Sequence, residues 1–253
     1  MNREGREHAL SEIRENIARS GYHLYVVAGG MEPRFAYTIG LSPNIGKELI
    51  LAGAMIYLYE DVAQIIEQAA EMLISYPMSE RSEQRIDPYG SFTFRHAHPS
   101  WAIALVLGAL DYYQKPEIAA LQIVPDKEHW TVDVPNMSTA WSPDVSPVWR
   151  WLKEPWSYRV PASSYAVTDL DALRGAAVTE ACRWEEDYWE LFAGAGPEVP
   201  AEQRRVVPLG TLLGADPSLL PVLDLPVGEG IWRKQHSEWH MWQTAQQRSG
   251  SSD

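Results

Sequence analysis

Apolar residues change period several times along this chain, and each change predicts an element. Leu10, Ile13 and Ile17 recur at spacings of three and four among charged residues, which predicts an amphipathic helix. From residue 22 the period drops to two. Residues 22–28 predict a strand, the Gly29-Gly30-Met31-Glu32-Pro33 cluster a turn, and residues 35–41 (FAYTIGL) a second strand. In FAYTIGL, Phe35, Tyr37, Ile39 and Leu41 share one face, while Ala36, Thr38 and Gly40 leave the other almost without side-chain volume. Such a face admits a helix, a backbone or a ligand, and helix packing is the more general explanation. Residues 48–55 predict a buried third strand. The clearest helix follows: Val62, Ile65, Ile66, Ala69, Met72 and Leu73 form one stripe, Glu60 and Asp61 suit its N-terminal end, and Pro77 stops it. Residues 78–90 read as polar loop, 91–98 as a fourth strand, 101–113 as a helix and 117–124 as a fifth strand.

Residues 131–165 break this rhythm with Pro135, Pro143, Pro147, Pro155 and Pro161 among Trp141, Trp149, Trp151, Trp156 and Tyr158. Prolines so spaced stop regular elements, yet a flexible linker does not carry so many aromatics, so the stretch predicts an ordered wrap packed on both flanking parts. Residues 165–168 and 176–181 then predict short strands. Residues 188–193 fit a third, with the helical spacing of Cys182, Trp189 and Phe192 as the competing reading. Residues 206–227 predict a strand and two short helices punctuated by Pro217 and Pro221, and the polar end from residue 243 predicts disorder. The expected layout is a sheet-and-helix domain over residues 1–130, the Pro/Trp-rich connection over 131–165, a smaller α+β domain over 166–242 and a tail over 243–253. The fold class is α+β: a mixed, mainly antiparallel sheet flanked by helices, with a second, smaller α+β unit.

Composition narrows the function classes. With 253 residues, 45% hydrophobic and 22% charged, the chain has apolar mass for a sizeable core. A formal charge of −13 argues against a nucleic-acid partner, which needs clustered Lys and Arg, and favours a basic protein. One cysteine, Cys182, leaves no intrachain disulfide and no cysteine-rich zinc site. The longest apolar stretch, residues 49–59, falls short of the roughly 20 residues of a membrane-spanning helix, and the charged first residues lack a signal-peptide pattern. A cytoplasmic protein with no membrane partner is expected.

The segments GYHLYVVAGGMEPRFAYTIGLSP, ELILAGA, LGALDYY and LQIVPDKEHW occur in that order over roughly residues 8–130. In this they resemble the bacterial family catalogued as domain of unknown function 4262, which brings no established activity. The family's recurring polar positions correspond to Tyr37, Thr38, Gln122 and Asp126, and Val124-Pro125 stands where the family's last motif usually has a tryptophan. Farther on, YWELFAG and VVPLGTLLGADPSLLPVLDLPVGEGIWR, within roughly residues 176–242, look like domain of unknown function 2185. That family is grouped with immunity proteins of polymorphic toxin systems, so the resemblance implies a binding role.

Several side-chain patterns bear on chemistry. His96 and His98, two apart on a strand, would point to one face as bidentate metal ligation needs, with Asp126, Glu128 or His129 as a third ligand. Against this, no third ligand sits at a diagnostic spacing, and no metal or other cofactor is expected. His236 and His240 are four apart, but the intervening Ser-Glu-Trp lacks the glutamate position of HExxH. Acidic neighbours would raise the pKa of Cys182, which suits a structural thiol. Gly29-Gly30 lacks the spacing of a dinucleotide loop, and no GxSxG elbow occurs. In TEACRWEEDYWELF, Trp184, Glu185, Glu186, Asp187 and Trp189 set aromatics in an acidic field, the equipment of a surface that captures a basic protein; the competing reading is a solvated turn whose aromatics face the core.

The expected function is a non-catalytic protein-binding module, in its specific form a cytoplasmic immunity-type inhibitor of a basic toxin. No catalytic residue is assigned. The alternative is a small-molecule or metal-dependent enzyme with a pocket at the FAYTIGL strand formed by Tyr37, Thr38, His96, His98, Gln122 and Asp126.

Overall fold

The computed structural model describes residues 3–75, 83–235 and 237–242. They form two units, one of residues up to Ala28 and from Arg34 to Ser146, the other of Gly29–Pro33 and the chain from Pro147 on. Each builds an α+β fold on its own mixed six-stranded sheet.

In the first unit α1 (Arg3–Ser20) leads into β1 (His23–Val27), β2 (Phe35–Ile39), α2 (Ser42–Ile45), β3 (Glu48–Ala52) and α3 (Tyr59–Ser75). Then come β4 (Glu83–Ile86), β5 (Gly90–His96), α4 (Pro99–Leu105), α5 (Leu107–Tyr113) and β6 (Ala120–Pro125). The strand order is β1-β2-β3-β6-β5-β4, antiparallel except where β3 runs parallel to β6. The stripe of α3 (Val62, Ile65, Ile66, Ala69, Ala70) packs in one core with Ala36, Leu49, Leu51, Phe92, Phe94, Leu121 and Ile123. The stripped face of β2 therefore turns toward α3, and α5 packs on the other face. Ala36 lies in that core, and beyond the strand Gly40, at φ +118°, sits under α1, where a Cβ would stand 2.9 Å from Ile17 Cγ1.

The opposite face carries a row across five strands: Tyr25, Tyr37, Ile50, Gln122 and Arg95. At its apolar end α5 comes close, because Gly108 has no side chain; a Cβ there would stand 2.7 Å from Tyr37 Oη. The helix expected over 101–113 is broken into α4 and α5 at Val106, which is fully buried with φ −96° and ψ 44°. Of the expected 78–90 loop, residues 83–86 form the edge strand β4, and residues 78–82 lie outside the described residues. Only Ile86 of that strand is buried, so hydropathy has almost nothing to read there.

The second unit runs from a 3-10 helix (Pro147–Leu152) through β7 (Tyr165–Asp169), α6 (Leu170–Leu173), β8 (Glu180–Arg183), β9 (Tyr188–Phe192), β10 (Arg204–Pro208) and α7 (Leu209–Ala215). A 3-10 helix (Pro217–Asp224), β11 (Glu229–Trp232) and the two-residue β12 (His240–Met241) complete it. Its order is β10-β7-β9-β8-β11-β12, with β7 and β9 parallel. Residues 188–192 are strand, so alternation rather than helical spacing decides that segment. One sheet face buries Ala166, Ala181, Trp189, Leu191, Val207 and Ile231. The other carries Tyr165, Val167, Cys182, Tyr188, Glu190 and Val206, and it is covered only in part, since Val206 stays exposed. The Pro/Trp-rich stretch is irregular apart from the 3-10 helix Pro147–Leu152, and its two parts belong to different units. Thr131, Asp133 and Met137 are buried in the first, and Trp149 and Trp151 in the second. The tail from residue 243 lies outside the described residues, and no helix among the described residues is long and apolar enough to cross a membrane.

Candidate functional site

Three of the pocket residues expected from sequence are committed to holding the first unit together. Thr38 Oγ1 donates to Glu48 Oε2 at 2.6 Å and accepts from Leu49 N at 2.9 Å. Glu48, fully buried at the start of β3, also accepts from the backbone N–H groups of Gly40, Leu41 and Ser42, from Ser42 Oγ and from Tyr113 Oη. Six donors on one buried carboxylate fasten the chain after β2 to β3 and α5. Burial, and then the neighbouring Glu48, raise the pKa of Tyr113. Tyr37 Oη accepts from Gly108 N at 3.1 Å, and burial pushes its pKa up to about 12. Gln122 donates from Nε2 to Pro135 O at 2.7 Å and accepts at Oε1 from Met137 N at 3.2 Å, which ties residues 135–137 to the sheet.

The histidines do not converge with them. β5 ends at His96, so His98 is no longer on the strand, and the two-residue spacing does not put both rings on one face. His96 Nε2 lies 3.1 Å from Lys47 Nζ, while His98 caps α4, its Nδ1 accepting from Ser100 N at 3.2 Å. No three His, Cys, Asp or Glu side chains gather in a metal-binding group among the described residues. His240 packs on the ring of Trp232, and His236 lies outside the described residues.

Asp126 belongs instead to an open groove of about 710 Å³ at the polar end of the same sheet face, lined by Arg85, Ser91, Thr93, Arg95, Lys127 and His129 among others. Its Oδ1 accepts from the N–H groups of Glu128 and His129 (both 3.0 Å) and pairs with His129 Nδ1 at 2.8 Å; its Oδ2 accepts from Ser91 N at 2.8 Å. The His129 ring is stacked on Tyr57 at 5.8 Å. Gly90, at φ +103°, makes room for the pair, because a Cβ would stand 2.6 Å from His129 Cε1 and 2.9 Å from Asp126 Oδ2. With Nδ1 turned to the carboxylate, the neutral ring carries its lone pair on Nε2, the arrangement of a positioned base.

Burial opposes ionisation of Asp126, but the hydrogen bonds from Ser91 N and His129 outweigh it and hold the carboxyl below the ordinary range. Unfolded aspartate titrates near about 3.9, so at acid pH the unfolded chain binds the extra proton. The contribution of Asp126 is complete above that value and is lost as the pH falls through the lower folded one. Asp126→Asn is expected to lower the urea midpoint at pH 7 and to make its decline below about pH 4 shallower. An unchanged acid slope would remove Asp126 from the balance.

The second unit presents the acidic aromatic turn. Trp184 is 44% exposed, Glu185 and Glu186 are exposed, and Asp187 is half-buried. Trp189 is fully buried on the other face of the sheet, so it is a core residue and not part of this surface. Arg183 fixes the turn from below by donating to the carbonyls of Glu185 (3.2 Å), Glu186 (2.7 Å) and Leu225 (3.0 Å), while Trp184 N donates to Tyr188 O at 3.0 Å. Cys182 is buried, and burial together with Glu190 and Glu180 pushes its thiol up to about 11, out of the range of a nucleophile.

Residues 16–130 match the family model described as Domain of unknown function (DUF4262), a span that contains the Glu48 network and the Asp126–His129 groove. No curated protein and no solved structure matches the chain.

Proposed function

We propose that this chain is a non-catalytic protein-binding module that captures a basic protein through the turn between β8 and β9, in the manner of an immunity-type inhibitor bound to a cationic toxin. The observation that carries this reading is Trp184, a large aromatic left 44% exposed on a turn whose backbone is clamped by Arg183 and followed by exposed Glu185 and Glu186. A fixed turn loses little conformational freedom on binding, so more of the contact energy of the indole appears as affinity. The chain's charge of −13 supports attraction of a cationic partner over distance.

The two kinds of residue have separable effects. Trp184→Ala is expected to speed dissociation from the partner, at a cost on the order of 2 kcal/mol. Glu185→Gln with Glu186→Gln is expected chiefly to slow association and flatten its salt dependence, bringing the rate toward the neutral range of roughly 10⁵–10⁶ M⁻¹s⁻¹. Surface-plasmon kinetics at two salt concentrations, on a partner recovered from the producing cell, read both. Unchanged rates in all these variants would exclude the turn.

A second reading rests on the Asp126–His129 pair, which supplies a base and several cationic neighbours to one groove. A small molecule that raises the melting temperature of the wild-type chain but not of His129→Gln would promote an enzymatic role at that groove.

A further inference from the structure

Beside the acidic turn, strand register gathers an unusual set of side chains. Cys182 stands opposite Glu190, Glu180 opposite Phe192, and Gly230 opposite Cys182 on its other side. The Trp242 ring lies against bare Gly230, where a Cβ would stand 2.5 Å from its carbons. Trp184, Trp242 and Phe192, with Glu180, Glu190, Cys182 and Arg204, line a cavity of about 330 Å³, a size suited to one long side chain.

The charges in this cavity do not balance. Arg204 is its resident cation and is already engaged: it donates to Val199 O (3.1 Å) and Gly196 O (3.0 Å) and lies 5.5 Å from the centre of the Phe192 ring. Glu180 uses one oxygen on Gly196 N at 2.6 Å, and Glu190 uses one on Tyr188 Oη at 2.9 Å. The second oxygen of each has no hydrogen-bond partner among the described residues. Two carboxylates against one guanidinium leave one negative charge unmatched among aromatic rings, and the high pKa of the Cys182 thiol reflects that field as well as burial. Aromatic faces and free carboxylate oxygens attract the same ligand, a cation on an apolar stem.

We propose that this cavity of the second unit receives one cationic side chain, a lysine or an arginine, from the basic partner; this rests on the protein-binding reading above. Trp184 then serves both the turn and the cavity wall, which links the anchoring aromatic to the recognised charge.

The test uses the whole chain and defined probes: Nα-acetyl-lysine amide and Nα-acetyl-arginine amide, their neutral counterparts acetyl-norleucine amide and acetyl-citrulline amide, and tetramethylammonium, followed by tryptophan fluorescence. Either amino-acid cation is expected to give a saturable change at least about tenfold tighter than its neutral counterpart. Glu190→Gln keeps an acceptor for Tyr188 Oη and should abolish that preference; Glu180→Gln, which keeps an acceptor for Gly196 N, serves if the first variant melts early. Tighter binding of tetramethylammonium than of both side-chain probes would assign the cavity to a small quaternary ammonium ion and overturn the proposal. Equal binding of charged and neutral probes, or none by any, would also overturn it. The protein-binding reading would survive those results, because partner kinetics at Trp184, Glu185 and Glu186 decide it separately.

Discussion

Glu48→Ala is expected to unfold the first unit. The carboxylate is fully buried and accepts from Thr38, Gly40, Leu41, Ser42 twice and Tyr113. Alanine removes the shared acceptor at once and leaves those donors facing a cavity, with only Gly40 N keeping another acceptor, Tyr113 Oη. Each buried donor without a partner costs about 1–3 kcal/mol, so even partial rescue by entering water leaves a loss of roughly 5 kcal/mol or more. That is comparable with the whole stability of an ordinary domain. Glu48→Gln keeps the shape but turns an NH₂ group toward donors, and should be nearly as damaging. Tyr113→Phe removes one donor to Glu48 and the acceptor of Gly40 N, and should cost about 1–2 kcal/mol. Glu60→Ala, on an exposed position of α3, should change stability by no more than about 0.5 kcal/mol. Urea unfolding followed by far-ultraviolet circular dichroism orders the four. A Glu48→Ala protein with the wild-type midpoint would show that the network is dispensable.

Nothing local in the sequence announces that network. Glu48 opens an apolar strand and reads as its polar boundary, because its donors come from residues 38–42 and from residue 113, which meet it only after β2, β3 and α5 assemble. In FAYTIGL the side-chain volume missing from one face signals a close approach there. A helix and a ligand satisfy that signal equally, and only the assembled chain brings α3 to Ala36 and Ile17 to Gly40, while α5 covers the Tyr37 face, which the sequence did not single out. For His96 and His98 the spacing was right for a strand, but the strand stops at the first of them. Asp126 and His129 stand three apart in PDKEH, yet the space that admits the pair is provided by Gly90 on a different strand. Edge strand β4 is mostly polar and β12 has only two residues, so no periodicity marks them. Alternation in residues 188–192, by contrast, already separates Trp189 and Leu191 from Glu190, and it splits the aromatic set between core and surface.

That split yields a second large effect. Trp189→Ala should collapse the second unit, whereas Trp184→Ala should leave it folded at a smaller cost. The Trp189 indole is fully buried beside Ala166, and the guanidinium of Arg183 lies 4.7 Å from its centre. Truncating a buried tryptophan to alanine costs about 3–5 kcal/mol, through lost burial and the cavity left behind. For a domain of about 100 residues, at roughly 4–8 °C per kcal/mol, the unit's transition should fall by more than about 10 °C. Losing Trp189 also removes a ring under Arg183, whose other contacts hold the carbonyls of Glu185 and Glu186. The turn should loosen together with the core, so weaker partner binding by Trp189→Ala would be a consequence of unfolding. Trp184 is 44% exposed, so its truncation removes less buried area than that of Trp189; the expected change is about 1–2 kcal/mol. Calorimetry of the whole chain can resolve the two units as separate transitions, and partner affinity measured well below the lower one separates stability from recognition. If Trp184→Ala lowered the transition as far as Trp189→Ala, the exposed indole would be a structural support, and the turn would lose its claim as a binding surface.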